Sequence, residues 1–365
     1  METNKHYIPS RPVHPFDVLR DELAARGISY KDFASRLGMK ASNFSRMLKA
    51  KGNVDARLAL ALEHETGIPC NEWLGLYTEY LRDLEEVPAR DKARAEAILI
   101  ETSLARQLNL RKLYNRMGLT LKDEIERVHV LSHYAKYIQN LGTFMTAGRF
   151  KKSNTLGCDD VDMFTWVLLA LISAEKAVEG LGYQEGNADK AAREIALEAN
   201  RQTLTTASIE DILNRYGIGY SHVEKLGRTP VDAYSVMSGQ TPAIIATYRI
   251  NDMDKLAFDI LHELGHISLH LEKGYGTAFI NVDGDNAENH YEKEADQFAQ
   301  NKLIPPEQWD KIKNVSRERI NPWLDIETIA QRASEMGISK SIAVSRYKHD
   351  TLFYKTKQYH SPKIR

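Results

Sequence analysis

The chain is poor in the features that would place it outside the ordinary soluble class. It has only two cysteines in 365 residues. Cys70 and Cys158 lie far apart and form no Cys-x-x-Cys pair, which argues against a disulfide framework and for a reducing cytoplasm. Each reads as a small buried hydrophobe. Long hydrophobic runs are also missing. The longest apolar stretch, residues 166–174, falls well short of the ~18 residues of a membrane span and fits a buried helix. The first fifteen residues, METNKHYIPSRPVHP, lack the apolar core of a signal peptide. No strong charge of one sign is present: the net charge is −1, so overall charge points to no partner. There is no internal repeat and no low-complexity tract. What remains is 42% hydrophobic and 27% charged, the balance of a globular protein. At roughly 100–200 residues per domain, two or three domains are expected.

Periodicity divides the chain into three parts: 1–85, 86–187 and 188–365. In the first, Phe16, Leu19 and Leu23 keep helical spacing up to Gly27. Ser29 caps a second helix ending at Gly38, a third spans about 41–50, and two more cover 54–65 and 71–84. Residues 86–100 read as a helical connector after Pro88, and 101–180 as further helices broken near Gly118, Gly142 and Gly157. Residues 188–215 suit one or two polar helices. The pattern then changes. Gly217, Gly219, Gly227, Pro230, Gly239 and Pro242 punctuate the β-rich runs YSHVEKL, AYSVM and AIIATYR, which predict a small sheet of about three strands. A helix opened by Asp252 covers 252–270, a glycine-led loop follows, and a second helix runs from about 288 to 303 and stops at Pro305–Pro306. The tail predicts a helix at 326–336 and a strand around Ile342–Val344. The fold class is therefore α+β, mostly helical, with the sheet in the last part.

The segment LHELGHISLH, residues 261–270, carries His-Glu-x-x-His. On a helix, positions i and i+4 share a face, so His262 and His266 can turn both imidazoles to one zinc ion. Glu263, about 100° round the helix, can reach a water at the metal as general base. The other faces are apolar (Leu256, Ile260, Leu261, Leu264, Ile267, Leu269), so the helix is buried and its histidines need partners. Histidines that simply hydrogen-bond within a core are the plainer alternative.

A catalytic zinc site takes three protein ligands and keeps one position open. His270 lacks the glycine and spacing of the extended three-histidine motif; it reads as a helix-end residue near a carboxylate. The better source is YEKEADQFAQNKL, residues 291–303. With Ala295, Phe298 and Ala299 on its inner face, Glu292 falls about 50° from the centre of that face and Glu294 about 110°. Glu292 is the expected ligand and Glu294 the alternative. Asp296, one turn on, could hydrogen-bond the outer nitrogen of a metal-bound histidine. Tyr291 and His290 are candidate donors to an oxyanion, with nothing to choose between them.

Residues 30–52, YKDFASRLGMKASNFSRMLKAKG, read helix, glycine turn, helix. Lys40, Ser42, Asn43 and Arg46 fall on the outer side of the second helix, with Lys49 one turn on. Asn and Arg suit paired hydrogen bonds to adenine and guanine edges. From 36 to 57 six basic residues face one acid, Asp55, a local excess that suits phosphate contacts with double-stranded DNA. A helical bundle with a basic surface is the plainer reading.

On these residues the chain resembles two families. Residues 14–85, with HPFDVLRDEL, the 30–52 unit and NEWLGLYTEYLRDL, look like HigA-type antitoxins of the XRE helix-turn-helix regulators. That resemblance implies a dimeric repressor of its own promoter that neutralises a RelE-like ribonuclease toxin. Residues 188–350, with FDILHELGHISLH, EKEADQFAQNKLIPP and IAQRASEMGISKSIAVSRYKHD, resemble the ImmA/IrrE metallopeptidases, although that family more often has Gly-Arg-Leu where Ser345-Arg346-Tyr347 stand. Residues 101–180, including AGRFKKS, resemble the helical region between the two parts of fused members. The resemblance implies a minimal gluzincin-like zincin, its sheet packed on the HExxH helix, with His262 and His266 as zinc ligands, Glu263 as catalytic residue and support for Glu292. It also implies cleavage of XRE-class repressors under stress. The expectation is thus a cytoplasmic, homodimeric DNA-binding regulator with a zinc endopeptidase domain. Its rivals are an antitoxin whose zincin fold does no chemistry, and a repressor with structural zinc.

Overall fold

The computed structural model describes residues 8–143, 149–152, 160–227, 229, 231–248, 250–274, 286–314, 322–351 and 359–364, with backbone alone for 149–152, 286–289 and 322–324. The chain divides into two compact units, Met1–Glu101 and Thr102–Arg365.

The first unit holds α1 (Pro15–Ala25), α2 (Tyr30–Arg36), α3 (Ala41–Ala50), α4 (Ala56–Thr66) and most of α5 (Cys70–Leu104). Each start has a local cause. His14 and Asp17 form a capping box at α1, Ser29 accepts from Asp32 N at α2, and Asp55 accepts from Leu58 N at α4. Gly27 and Gly38 turn the chain with positive φ. Phe16, Leu19, Leu23, Phe33, Phe44, Leu62 and Trp73 fill a core between the helices, so α2 and α3 stand as the expected helix-turn-helix pair.

Helix α5 differs from expectation. The sequence suggests a helix at 71–84 and a separate connector after Pro88, whereas one helix of 35 residues runs through Pro88. Proline forfeits one backbone hydrogen bond, and the strong helix formers on either side (EE before it, ARDKARAEA after it) carry the helix across. Arg90 ties this stretch down by donating to Pro9 O at 2.7 Å. Residues 86–101 therefore fold with the first unit.

The second unit opens with α6 (Leu110–Met117), α7 (Glu124–Ser132) and α8 (Ala135–Gln139), followed by β1 (Arg149–Lys152) and α9 (Asp160–Ala177). Then come α10 (Asn187–Arg201), α11 (Thr206–Arg215), β2 (Gly219–His222), β3 (Val231–Ser238) and β4 (Thr241–Ala246). Helix α12 (Met253–His266) passes directly into a π-helical turn, Ile267–Leu271. Helices α13 (Asn286–Leu303), α14 (Pro306–Lys313), α15 (Pro322–Glu335) and α16 (Lys340–Thr351) complete the unit. The expected break at Gly157 lies outside the described residues.

Among the described residues the sheet has four strands in the order β1-β3-β4-β2, one more than expected. β3 and β4 form a hairpin around Gly239, β2 runs parallel to β4, and β1 pairs antiparallel with β3. β1 is a correction: it comes from the 101–180 stretch read as helical, where a four-residue basic strand has no hydrophobic alternation to reveal it. The central strands are buried along almost their whole length, as a sheet covered on both faces must be. On one face Tyr234, Val236 and Ile245 pack with Trp166, Val167 and Leu171 of α9. On the other, Ile244 and Ala246 pack with Ile260, Leu261 and Leu264 of α12 and Ile195 of α10.

The expected strand at Ile342–Val344 is part of α16. Ile342, Ala343 and Val344 are all buried and join the α10–α12 core, so packing overrides the β preference of Ile and Val. Helix α16 also reaches across to α13: Arg346 donates to Gln300 O at 3.0 Å and Ile304 O at 2.9 Å, occupying carbonyls at the end of that helix.

The start of α12 is held from two directions. Asp252 accepts from Lys255 N at 3.0 Å. Met253 N donates to Pro362 O at 2.9 Å, and Asp254 N to Ser361 Oγ at 2.8 Å. Further along, Gly265 faces α13 so closely that a Cβ there would lie 3.2 Å from Ala295 Cα and from Phe298 Cβ. The absent side chain sets how near α12 and α13 approach. Among the described residues no helix is long and apolar enough to cross a membrane.

Candidate metal centre

Helix α12 supplies His262, Glu263 and His266, all at 1% exposure or less, and α13 supplies Glu292. The donor atoms converge. His262 Nε2 and His266 Nε2 are 3.0 Å apart. Glu292 Oε2 lies 3.2 Å from the first, and Glu292 Oε1 3.3 Å from the second. Among the described residues these three form the one group whose side chains could jointly hold a metal ion. Ligands at Zn–N and Zn–O distances of about 2.0–2.1 Å on a tetrahedron stand about 3.3 Å from one another. The separations found fit zinc.

The outer nitrogens are engaged as well. His262 Nδ1 meets Asp296 Oδ1 at 2.8 Å, the contact expected of Asp296. His266 Nδ1 meets His270 Nδ1 at 3.0 Å, and His270 Nε2 meets Glu294 Oε2 at 3.1 Å. Glu294, the alternative third ligand, is thus turned to His270 and, at 3.3 Å, to His290 Nε2. Tyr291 sets its ring edge-on against His270, with centroids 4.7 Å apart.

Glu263 sits between the helix and the sheet. Its Oε2 accepts from Ser235 Oγ at 2.6 Å, while its Oε1 is buried with no hydrogen-bond partner. Ser235 is fully buried on β3. Strand alternation turns it toward α12 and sends Tyr234 toward Trp166 on the other face. Nothing in the sequence singles out this serine; only the pairing of β3 against α12 brings it to the site.

The electrostatics of the cluster follow from burial and pairing. Burial pushes the Glu263 carboxyl up to about 8. Burial also drives His266 down to about 3. For His262 burial works against the charged form, yet the hydrogen bonds it donates to the Asp296 and Glu292 carboxylates outweigh it and raise the imidazole to about 9. Burial of Glu292 is likewise outweighed by its hydrogen bonds with His262 and His266, which hold it well below the usual carboxylate range. One imidazolium between two carboxylates occupies the place of a cation, the electrostatic pattern of a site shaped for positive charge.

Beside the cluster a cleft of about 390 Å³ opens between α12, α13 and α16, with Phe258, Asp296, Leu303, Ile304, Ile342 and Arg346 in its wall. It shares Asp296 with the metal cluster.

Residues 223–348 match the IrrE N-terminal-like domain, a peptidase family. The match holds β3, β4, α12, the π turn and the helices through most of α16, and all of the convergent side chains. It lies inside the 188–350 stretch whose resemblance to ImmA/IrrE peptidases is carried by FDILHELGHISLH and EKEADQFAQNKLIPP. It begins at Val223, so the HigA-type resemblance of residues 14–85 lies outside it. No curated protein and no solved structure matches the chain.

In the first unit, Lys40, Ser42, Asn43, Arg46 and Lys49 are all exposed, while Phe44 and Leu48 of the same helix are buried. Arg46 Nη2 donates to Asn43 Oδ1 at 3.3 Å, so the two side chains lie side by side on the outer face of α3.

Proposed function

We propose that the chain is a DNA-binding transcription regulator whose second unit is a zinc-dependent endopeptidase. The observation that carries the peptidase reading is the convergence of His262 Nε2, His266 Nε2 and the Glu292 carboxylate beside a buried carboxylate with an unpartnered oxygen. A closed structural zinc would need a fourth protein ligand, and among the described residues the group has three.

When bound, zinc supplies a Lewis acid that polarises a peptide carbonyl and makes water acidic near neutral pH. The chain's own residues do the rest. Glu263 Oε1 faces no partner; it takes the proton of the attacking water and passes it to the leaving amide nitrogen. Ser235 fixes the other carboxylate oxygen, so the proton-carrying oxygen has one orientation. Asp296 and His270 keep the two imidazoles turned inward. Tyr291 and His290 remain candidate oxyanion donors by proximity to this end of α13.

The first unit supports the regulatory half through the exposed, basic outer face of α3. By resemblance the substrate is an XRE-class repressor cleaved under stress, the DNA is an operator bound by a homodimer, and the compartment is the cytoplasm. The second reading, a HigA-like antitoxin that docks a RelE-like toxin while its zincin fold does no chemistry, draws on the same exposed face.

Zinc stoichiometry by elemental analysis tests the metal, on the wild type beside His262→Ala and Glu292→Ala. About one zinc per chain, lost in both variants, is the expected result; none in metal-replete wild type overturns the enzyme reading. Glu263→Gln then separates the two functions, because a variant that keeps every cellular phenotype of the wild type rules out proteolysis as the function.

A further inference from the structure

His270 lies one turn beyond the HExxH motif and has no place in it. It is nevertheless 1% exposed, with one ring nitrogen on His266 and the other on Glu294. Its position comes from the π-helical turn Ile267–Leu271 that extends α12, an irregularity that recurs at functional sites.

With His266 and His270 both neutral, the protons along this line follow from donor and acceptor roles. An ionised carboxylate only accepts, and a neutral imidazole carries one N–H and one lone pair. Glu294 Oε2 at 3.1 Å therefore requires N–H at His270 Nε2. That leaves a lone pair at His270 Nδ1. Facing it at 3.0 Å, His266 Nδ1 must carry the N–H of that contact. His266 Nε2 is then the lone pair, and it is the nitrogen that faces Glu292 and His262 Nε2. On the other side Asp296 holds the Nδ1 proton of His262 in one step.

We propose that His270 and Glu294 form a two-step relay that fixes the tautomer of His266, so that its Nε2 presents a lone pair to the metal. His270 is thus a positioning residue, and Glu294, rather than a ligand, is the carboxylate that orients it. The inference rests on the zinc-site reading for its purpose, but the proton positions it assigns exist in the metal-free chain.

The test uses the full chain with ¹⁵N-labelled histidine. Long-range ¹H–¹⁵N correlation in the metal-free protein reads the tautomer of His266, and competition with a chelator reads zinc affinity. The expected wild-type result is His266 protonated at Nδ1. His270→Ala loses that preference and binds zinc about 10- to 100-fold more weakly, the range seen when a partner of a metal-bound histidine is removed. His270→Asn, whose side-chain oxygen can accept where Nδ1 did, recovers most of both. Glu294 is 42% exposed, so Glu294→Ala folds, and it weakens zinc in the same direction by a smaller factor. His266 protonated at Nε2 in the wild type, or unchanged tautomer and zinc affinity in His270→Ala, overturns the relay. If wild type binds no zinc, the metal reading falls, and the tautomer measurement still decides the relay by itself.

Discussion

Ser235 Oγ lies 2.6 Å from Glu263 Oε2, joining the middle of a buried strand to the carboxylate that follows the first metal-site histidine. A hydrogen bond to a charged group is worth about 1.5–3 kcal/mol. Its loss frees the Glu263 carboxylate to rotate. Ser235→Ala is expected to lower kcat on a peptide substrate by about 10- to 100-fold with zinc content intact, and Ser235→Thr to restore much of it. Loss of zinc in Ser235→Ala, measured by elemental analysis, would mean that the serine holds the helix rather than the carboxylate.

The contact between Gly265 and α13 leaves no room for a side chain. A Cβ at 3.2 Å from Ala295 Cα and Phe298 Cβ already asks its neighbours to give way. Gly265→Leu must push α12 and α13 apart, at a cost of about 1–3 kcal/mol or more. Since the ligands are divided between these two helices, zinc affinity is expected to fall together with the thermal midpoint. Unchanged zinc affinity in a folded Gly265→Leu chain would show that the ligands tolerate a wider spacing.

Asp254, in the first turn of α12, has a carboxyl that burial raises to about 6 from its ordinary 3.8. The folded state thus binds the proton more tightly than the unfolded one. Its contribution to stability is fully present below about pH 4 and is lost as pH rises through about 6. Asp254→Asn is therefore expected to stabilise the chain at about pH 8 by up to about 3 kcal/mol and to be close to neutral below about pH 4. Urea denaturation at the two pH values checks it, and an equal effect at both would remove charge burial as the cause.

The outer face of α3 gives a prediction for DNA. Arg46→Ala and Asn43→Ala, if these residues read base edges, each cost about 1–3 kcal/mol on the operator and little on unrelated duplex. Lys49→Ala, if it meets phosphate, weakens both equally and lowers the salt dependence by about one unit. Fluorescence anisotropy across a salt series reads both. Equal losses on all sequences for Arg46 and Asn43 would make the face a general phosphate binder.

Much of this was legible in the sequence because it depends on local spacing. Five N-terminal helices, the HExxH helix and the inward turn of Glu292 follow from periodicity and caps. The elements that were not legible depend on distant partners. Arg149–Lys152 is a strand only because β3 offers an edge, and Ile342–Val344 is helical because its helix packs against α15 and buries it in the core. Ser235 reaches Glu263 through sheet register, and His270 reaches His266 through a π turn. None of these is written in the spacing of its own segment.

The first backbone amides of α12 are satisfied by Pro362 and Ser361, the latter contact spanning 107 residues. During synthesis the chain emerges in order, so the helix that carries His262, Glu263 and His266 is made long before Ser361 and Pro362. Contacts of such wide separation form late. For the whole interval in which roughly a hundred further residues are added, at about 5–20 residues per second, the helix has its histidines and its Asp252 cap but not the tail that holds its first amides. The nascent chain therefore has several seconds in which the metal ligands exist without the framework that fixes them.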